Sequence, residues 1–128
     1  MSTPRLRALV VAVLAVGILA LPAMADARLQ RFQTPSKKIG CGYETSSREL
    51  RCDALFLNDV GFRLRTTGKG KRIRITDTVA DPGASVLRYG RSRDLGPFRC
   101  TSRMSGLTCK SRANGHGFTI SRGSQKLF

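Results

Sequence analysis

Four cysteines, a single histidine and a dense set of arginines are the residues of this chain with chemistry to offer. His116 lies in Asn114-Gly115-His116-Gly117, seven residues beyond Cys109. A catalytic histidine needs a partner within hydrogen-bond reach, either a nucleophile or a second acid–base group. No G-x-S-x-G, H-x-E or H-E-x-x-H pattern accompanies it. The compatible catalytic architecture is a small ribonuclease-like hydrolase: Glu44 or Glu49 as base, His116 as acid, arginines on the phosphate. Such sites stack bases on aromatic rings, and this chain has no tryptophan and only 6% aromatic residues. Asn-Gly is a favoured turn dipeptide, and flanking glycines accept positive φ. The sequence therefore favours a turn at His116, assigns no catalytic residue and predicts a non-enzymatic chain.

The cysteines, Cys41, Cys52, Cys100 and Cys109, are even in number in a short chain, which points to two disulfides. Local context selects among the three pairings. Ile39-Gly40-Cys41 matches Leu50-Arg51-Cys52, and Phe98-Arg99-Cys100 matches Leu107-Thr108-Cys109. In a strand, residues i and i−2 share a face. Each pair thus reads as a hairpin with an apolar face, closed by Cys41–Cys52 in one and Cys100–Cys109 in the other. Structural zinc is the competing chemistry, but it uses closely spaced pairs such as C-x₂₋₄-C. Here ten and eight residues separate the paired cysteines. No metal and no cofactor is expected.

The arginines are densest in residues 62–79, FRLRTTGKGKRIRITDTV. Phe62, Leu64 and Thr66 alternate with Arg63 and Arg65, and Ile73 and Ile75 with Arg72 and Arg74. Period two predicts half-buried strands, with Gly68-Lys69-Gly70 as the turn. On this reading Arg63, Arg65, Arg72 and Arg74 share one face, and Lys69 and Lys71 sit at the tip. Like charges opposed on a sheet repel, so such a face calls for anions, held by guanidinium forks. An edge protected by charge is the alternative use.

The elements that must position these groups follow from the whole chain. Arg5 and Arg7 precede a 14-residue apolar run, Ala8 to Leu21, then Pro22 and Ala23-Met24-Ala25. This is the pattern of a secretory signal peptide over residues 1–25, and Ala25-Asp26-Ala27 offers a second cleavage site. The run is short for a membrane span. The mature chain, 26–128, is expected to be one small β domain without a membrane span, secreted or periplasmic. It keeps 21 Lys+Arg against 8 Asp+Glu, a net charge of +13. That charge attracts acidic partners such as nucleic acid, lipopolysaccharide or anionic glycans of the envelope.

Residues 26–38 read as an entering segment. Hairpins follow at about 39–55, 62–79 and 98–111. Ala80–Ser85 forms a turn around Pro82-Gly83. Val86 to Gly90 reads as a short strand, Arg91–Pro97 as a charged loop, and Phe118–Ser121 as a last strand. No stretch of the mature chain carries a sustained helical period. Short strands punctuated by Gly, Pro and Ser predict an all-β fold: a small disulfide-stapled antiparallel sandwich or open barrel of hairpins.

The order of motifs carries a resemblance. Thr34-Pro35-Ser36, Ile39-Gly40-Cys41, Leu50-Arg51-Cys52-Asp53, Tyr89-Gly90, Ser105 to Cys109 and Gly115-His116-Gly117-Phe118 run in sequence from Phe32 to Phe128. Together they resemble a family of small secreted bacterial proteins catalogued as a domain of unknown function. Members of that family often carry a further central cysteine pair, and a tryptophan in the Asp-x-Gly element. Here residues 53–99 hold no cysteine, and Val60 stands at the tryptophan position. The resemblance implies an exported, disulfide-bonded domain and supplies no catalytic residues.

The expectation is a secreted or periplasmic, non-enzymatic binding domain. Its first alternative is a polyanion-binding protein acting through Arg63, Arg65, Lys69, Lys71, Arg72 and Arg74. Its second is the ribonuclease-like hydrolase around His116. The sequence identifies no partner and no oligomeric state.

Overall fold

A computed structural model describes residues 2–5, 8–21 and 28–128. Residues 8–21 form no helix or strand, and their large apolar side chains are exposed. The expected signal-peptide junctions at Ala25 and Ala27 lie outside the described residues. No helix in the described residues is long and apolar enough to cross a membrane.

Residues 29–127 fold into eleven strands in two facing sheets. Sheet A contains β1 (Leu29–Gln33), β2 (Ile39–Glu44), β3 (Glu49–Ala54), β4 (Val60–Leu64), β5 (Lys71–Arg74) and β6 (Ser85–Val86). Their spatial order is β5-β4-β3-β2-β1-β6. Sheet B contains β7 (Ser92–Leu95), β8 (Phe98–Arg103), β9 (Gly106–Ser111), β10 (Gly117–Ile120) and β11 (Gln125–Leu127), in the order β11-β10-β9-β8-β7. All pairings are antiparallel except β1 with β6. The fold is the expected all-β sandwich.

Both cysteine hairpins form as their periodicity predicts. Cys41 lies opposite Cys52 and Cys100 opposite Cys109, and both pairs are disulfides. Closing loops of this size stabilises by about 3 kcal/mol each in the chain-entropy view. The two bridges meet at the centre of the sandwich, where Cys52 Sγ and Cys109 Sγ are 3.9 Å apart. Around them pack Phe32, Phe62, Phe98 and Phe118, all fully buried. Tyr43 meets Phe98 edge-on at 5.8 Å between ring centroids, a favoured aromatic geometry. Two disulfides place the domain in an oxidising compartment outside the cytoplasm.

Three parts of the fold depart from the sequence reading. The entering segment contains β1, which pairs along its length with β2. The charged loop contains β7, whose Arg93 faces inward and lies over the Phe32 ring at 5.5 Å. The third is the connection from β5 to β6. These strands occupy opposite edges of sheet A, so residues 75–84 cross its outer face as a strap.

The strap is seated on small residues and one carboxylate. A side chain at Gly40 would overlap Ala80, and a Cβ at Gly61 would lie 2.6 Å from Asp53 Oδ1. Asp53 is fully buried. It accepts hydrogen bonds from Arg51 Nε (2.8 Å) and Nη2 (3.0 Å), Thr78 Oγ1 (2.9 Å) and the Val79 N–H (2.8 Å). Arg51 also donates to the Asp77 carbonyl. Burial opposes the Arg51 charge, but hydrogen bonds and attraction from Asp53, and then Asp77, hold its pKa above the ordinary arginine value. Farther along, Gln33 Nε2 donates to the Pro82 and Ala84 carbonyls (3.1 and 2.8 Å).

Candidate functional site: a basic face on sheet B

The six cations singled out in the sequence do not form one face. Register pairs Phe62 with Arg72, Val60 with Arg74 and Arg63 with Lys71. Directly opposed residues of an antiparallel pair share a face. Arg72 and Arg74 therefore lie on the side of Phe62, and Arg63 and Lys71 on the other. The expected common face of Arg63, Arg65, Arg72 and Arg74 is thus corrected. The loop after Leu64 runs through Gly70, so β5 starts one residue out of phase with the simple hairpin, and a one-residue shift reverses every side chain. Arg72 and Arg74 tolerate the inner side because β5 is an edge strand, where both stay exposed. Arg65 is paired with Glu49 at 2.7 Å, and Lys69 is exposed in the loop.

A concentrated basic surface lies instead on sheet B. The cysteines of β8 and β9 point inward, so the residues between and beside them point outward. Arg99, Thr101 and Arg103 project from β8, and Thr108 and Lys110 from β9. Arg99 lies opposite Lys110, and Thr101 opposite Thr108. The neighbouring strands extend the hydroxyl row, with Ser92 Oγ 2.7 Å from Thr101 Oγ1 and Thr108 Oγ1 3.0 Å from Thr119 Oγ1. Arg99, Arg103, Lys110 and Arg112, with the threonines, line a groove of about 500 Å³.

One acidic group governs the edge of this face. Asp94 accepts from Arg99 Nε and Nη2 (2.7 and 3.2 Å) and lies 3.8 Å from Arg112 Nη1. The Arg99 hydrogen bond holds the Asp94 carboxyl below the usual carboxylate range, and Asp94 in return raises the Arg99 guanidinium. Arg112 Nη2 also donates to the Gly96 carbonyl at 2.6 Å. Residues 85–128 carry nine lysines and arginines and this one acid, a net charge of +8.

The signal for this face was present in Arg-Cys-Thr-Ser-Arg and Thr-Cys-Lys: if the cysteines face inward, their neighbours face solvent.

His116 lies on the β9–β10 connection, partly exposed. The turn there is as expected. Gly115 has φ 77°, the His116 N–H donates to Asn114 Oδ1 at 3.0 Å, and the Ser111 N–H donates to the His116 carbonyl at 2.7 Å. Glu44 instead accepts from the hydroxyls of Ser46 and Ser47 in the β2–β3 turn, and Glu49 holds Arg65. The sulfurs of Cys41, Cys52 and Cys109 lie within 4.8 Å of one another, but all are committed to disulfides.

The chain belongs to a family of unknown function (DUF6636), which matches residues 44–128. No curated protein and no solved structure matches it.

Proposed function

We propose that this domain is a secreted or periplasmic, non-catalytic binding protein for acidic polymers, which lie along the outer face of sheet B. The observation that carries this reading is the convergence of Arg99, Arg103, Lys110 and Arg112 on one groove floored by threonine hydroxyls. Guanidinium and ammonium groups supply charge-assisted donors to phosphate or sulfate, and the hydroxyls donate between them. The basic start and apolar run of residues 1–25 support export, as do the two disulfides. The groove lining includes Gly115 but not His116, which supports binding rather than hydrolysis.

Heparin and single-stranded DNA columns test the proposal. Retention should fall steeply with salt, because bound cations displace counterions from the polymer. Arg103→Glu with Lys110→Glu should abolish retention at physiological salt, while Arg72→Glu with Arg74→Glu should leave most of it. Equal losses from the two double variants would show that net charge, not this face, holds the polymer. Turnover of RNA by the wild type, lost in His116→Ala, would replace the proposal with the hydrolase.

A further inference from the structure

A second concavity opens at one end of the sandwich, and it differs from the groove in having an apolar floor. Phe56, partly exposed, forms that floor over the buried Ile39, Leu107 and Ile120, within a volume of about 220 Å³. Three cations, Lys38, Arg103 and Arg122, line the same cavity, and among the described residues no acidic one does. At its mouth stand Tyr89 and Met104, 45% and 87% exposed. Met104 sits in the two-residue turn between β8 and β9, where a polar residue would serve a simple hairpin. An apolar floor ringed only by positive charge matches a ligand that is apolar at one end and anionic at the other. The size sets a limit, since a cavity of about 150 Å³ already accepts a benzene ring. This one therefore takes a ring or a short alkyl chain, not a long acyl tail.

Arg103 lines both this cavity and the groove on sheet B.

We infer that the end cavity is a binding site for a small anionic amphiphile, a phosphate or carboxylate carrying a ring or short chain. The apolar part sits against Phe56, Tyr89 and Met104, and the anion lies among Lys38, Arg103 and Arg122. This inference rests on the cavity alone and not on the polymer reading of sheet B.

Octyl phosphate is the probe, below its micelle concentration, titrated calorimetrically into the purified protein. It should bind one to one, at least about tenfold more tightly than inorganic phosphate or octanol, since each lacks one half of the recognition. Arg122→Glu should weaken it by roughly tenfold or more, and Tyr89→Ser with Met104→Ser by a similar factor. These positions are exposed, so the fold is expected to hold, with circular dichroism as the check. Lys110→Glu, confined to the groove, should leave octyl phosphate binding unchanged. Equal binding of octyl phosphate and inorganic phosphate would overturn the inference, as would indifference to Arg122→Glu. So would sedimentation with phosphatidylglycerol vesicles in the absence of octyl phosphate binding, which would make this end a membrane-docking surface. Any of these results would leave salt-sensitive heparin retention, and its reading, standing.

Discussion

Removing the Asp53 carboxylate should unseat the strap while sparing sheet B. In Asp53→Ala three partners lose their acceptor: the Arg51 guanidinium, the Thr78 hydroxyl and the Val79 N–H. Breaking a buried ion pair by deleting one partner costs about 3–5 kcal/mol. Each unsatisfied neutral donor adds about 1–3 kcal/mol where water cannot reach it. Two features moderate the sum. The Arg51 side chain is 19% exposed and keeps Asp77 as a partner, and a lifted strap lets water reach the other donors. The expected loss is therefore about 4 kcal/mol, a large share of the roughly 5–15 kcal/mol available to a small domain. Asp53→Asn keeps the shape and one acceptor oxygen but turns its amide hydrogens toward another donor, so about 2 kcal/mol is expected. Urea unfolding followed by far-ultraviolet circular dichroism measures both, through a lower midpoint at unchanged slope. Hydrogen exchange supplies the spatial check: the Val79 and Ala80 amides should lose protection, while Cys100 and Cys109 in sheet B keep theirs. Both variants falling within about 0.5 kcal/mol of wild type, the range of ordinary surface changes, would refute the claim that Asp53 seats the strap.

Further predictions concern the basic face and its flank. Asp94 is held below the ordinary carboxylate range by Arg99, so its nuclear magnetic resonance titration midpoint should lie below that of an unperturbed aspartate, about 3.9. The sign follows: the pair's contribution is complete above that pH and is lost as pH falls through the lowered midpoint. Asp94→Asn should release Arg99 and Arg112 toward an acidic ligand and move heparin elution to higher salt; unchanged or earlier elution would contradict the groove's assigned polarity. His116 and Gly117 should separate sharply in thermal and urea unfolding. His116→Ala, partly exposed and held by its backbone, should stay within about 0.5 kcal/mol of wild type. Gly117→Ala should cost about 1–3 kcal/mol, because its new methyl overlaps the Cys109 carbonyl.

The parts of the fold legible in the sequence were those with two independent signals. The cysteine hairpins combined period-two apolar residues with a redox constraint, and the pairing, turns and facing of β2, β3, β8 and β9 all followed. β1 and β7 had only weak patterning. Leu-Gln-Arg-Phe-Gln offers one strongly buried apolar side chain, Phe32, and Ser-Arg-Asp-Leu presents an arginine inward, which reads as a loop until Phe32 is seen beneath it. The arginine hairpin failed for a different reason. Its strands were correctly placed, but which faces coincide depends on loop length, and one residue of phase exchanged them. The strap carried no periodic signal because it is not a strand. Its sequence traces are the glycines of β2 and β4 and the acid of Leu-Arg-Cys-Asp, interpretable only once a chain segment is known to cross above them.

The contrast between the two outer faces bears on function more directly than net charge does. A sandwich needs only the inward residues of each strand for its core, leaving the outward ones free for other work. In sheet A that freedom is taken up by the strap and its anchors: Gly40 and Gly61 give up their side chains to make room, and Asp53 and Arg51 are occupied with each other and with residues 77–79. Six of the chain's eight acidic residues, Glu44, Glu49, Asp53, Asp59, Asp77 and Asp81, lie on the sheet A side, where they offset half of the twelve lysines and arginines of residues 28–84 and leave a net charge of +6. Among the described residues no strap crosses sheet B, and the outward positions of β8 and β9 are threonine, arginine and lysine, with Asp94 beside them. Both sides thus stay basic, at +6 and +8, and the difference lies in how the charge is arranged on the open face of sheet B. That arrangement supports the proposed binding of acidic ligands, and it is most concentrated in the groove that Arg103 and Lys110 line.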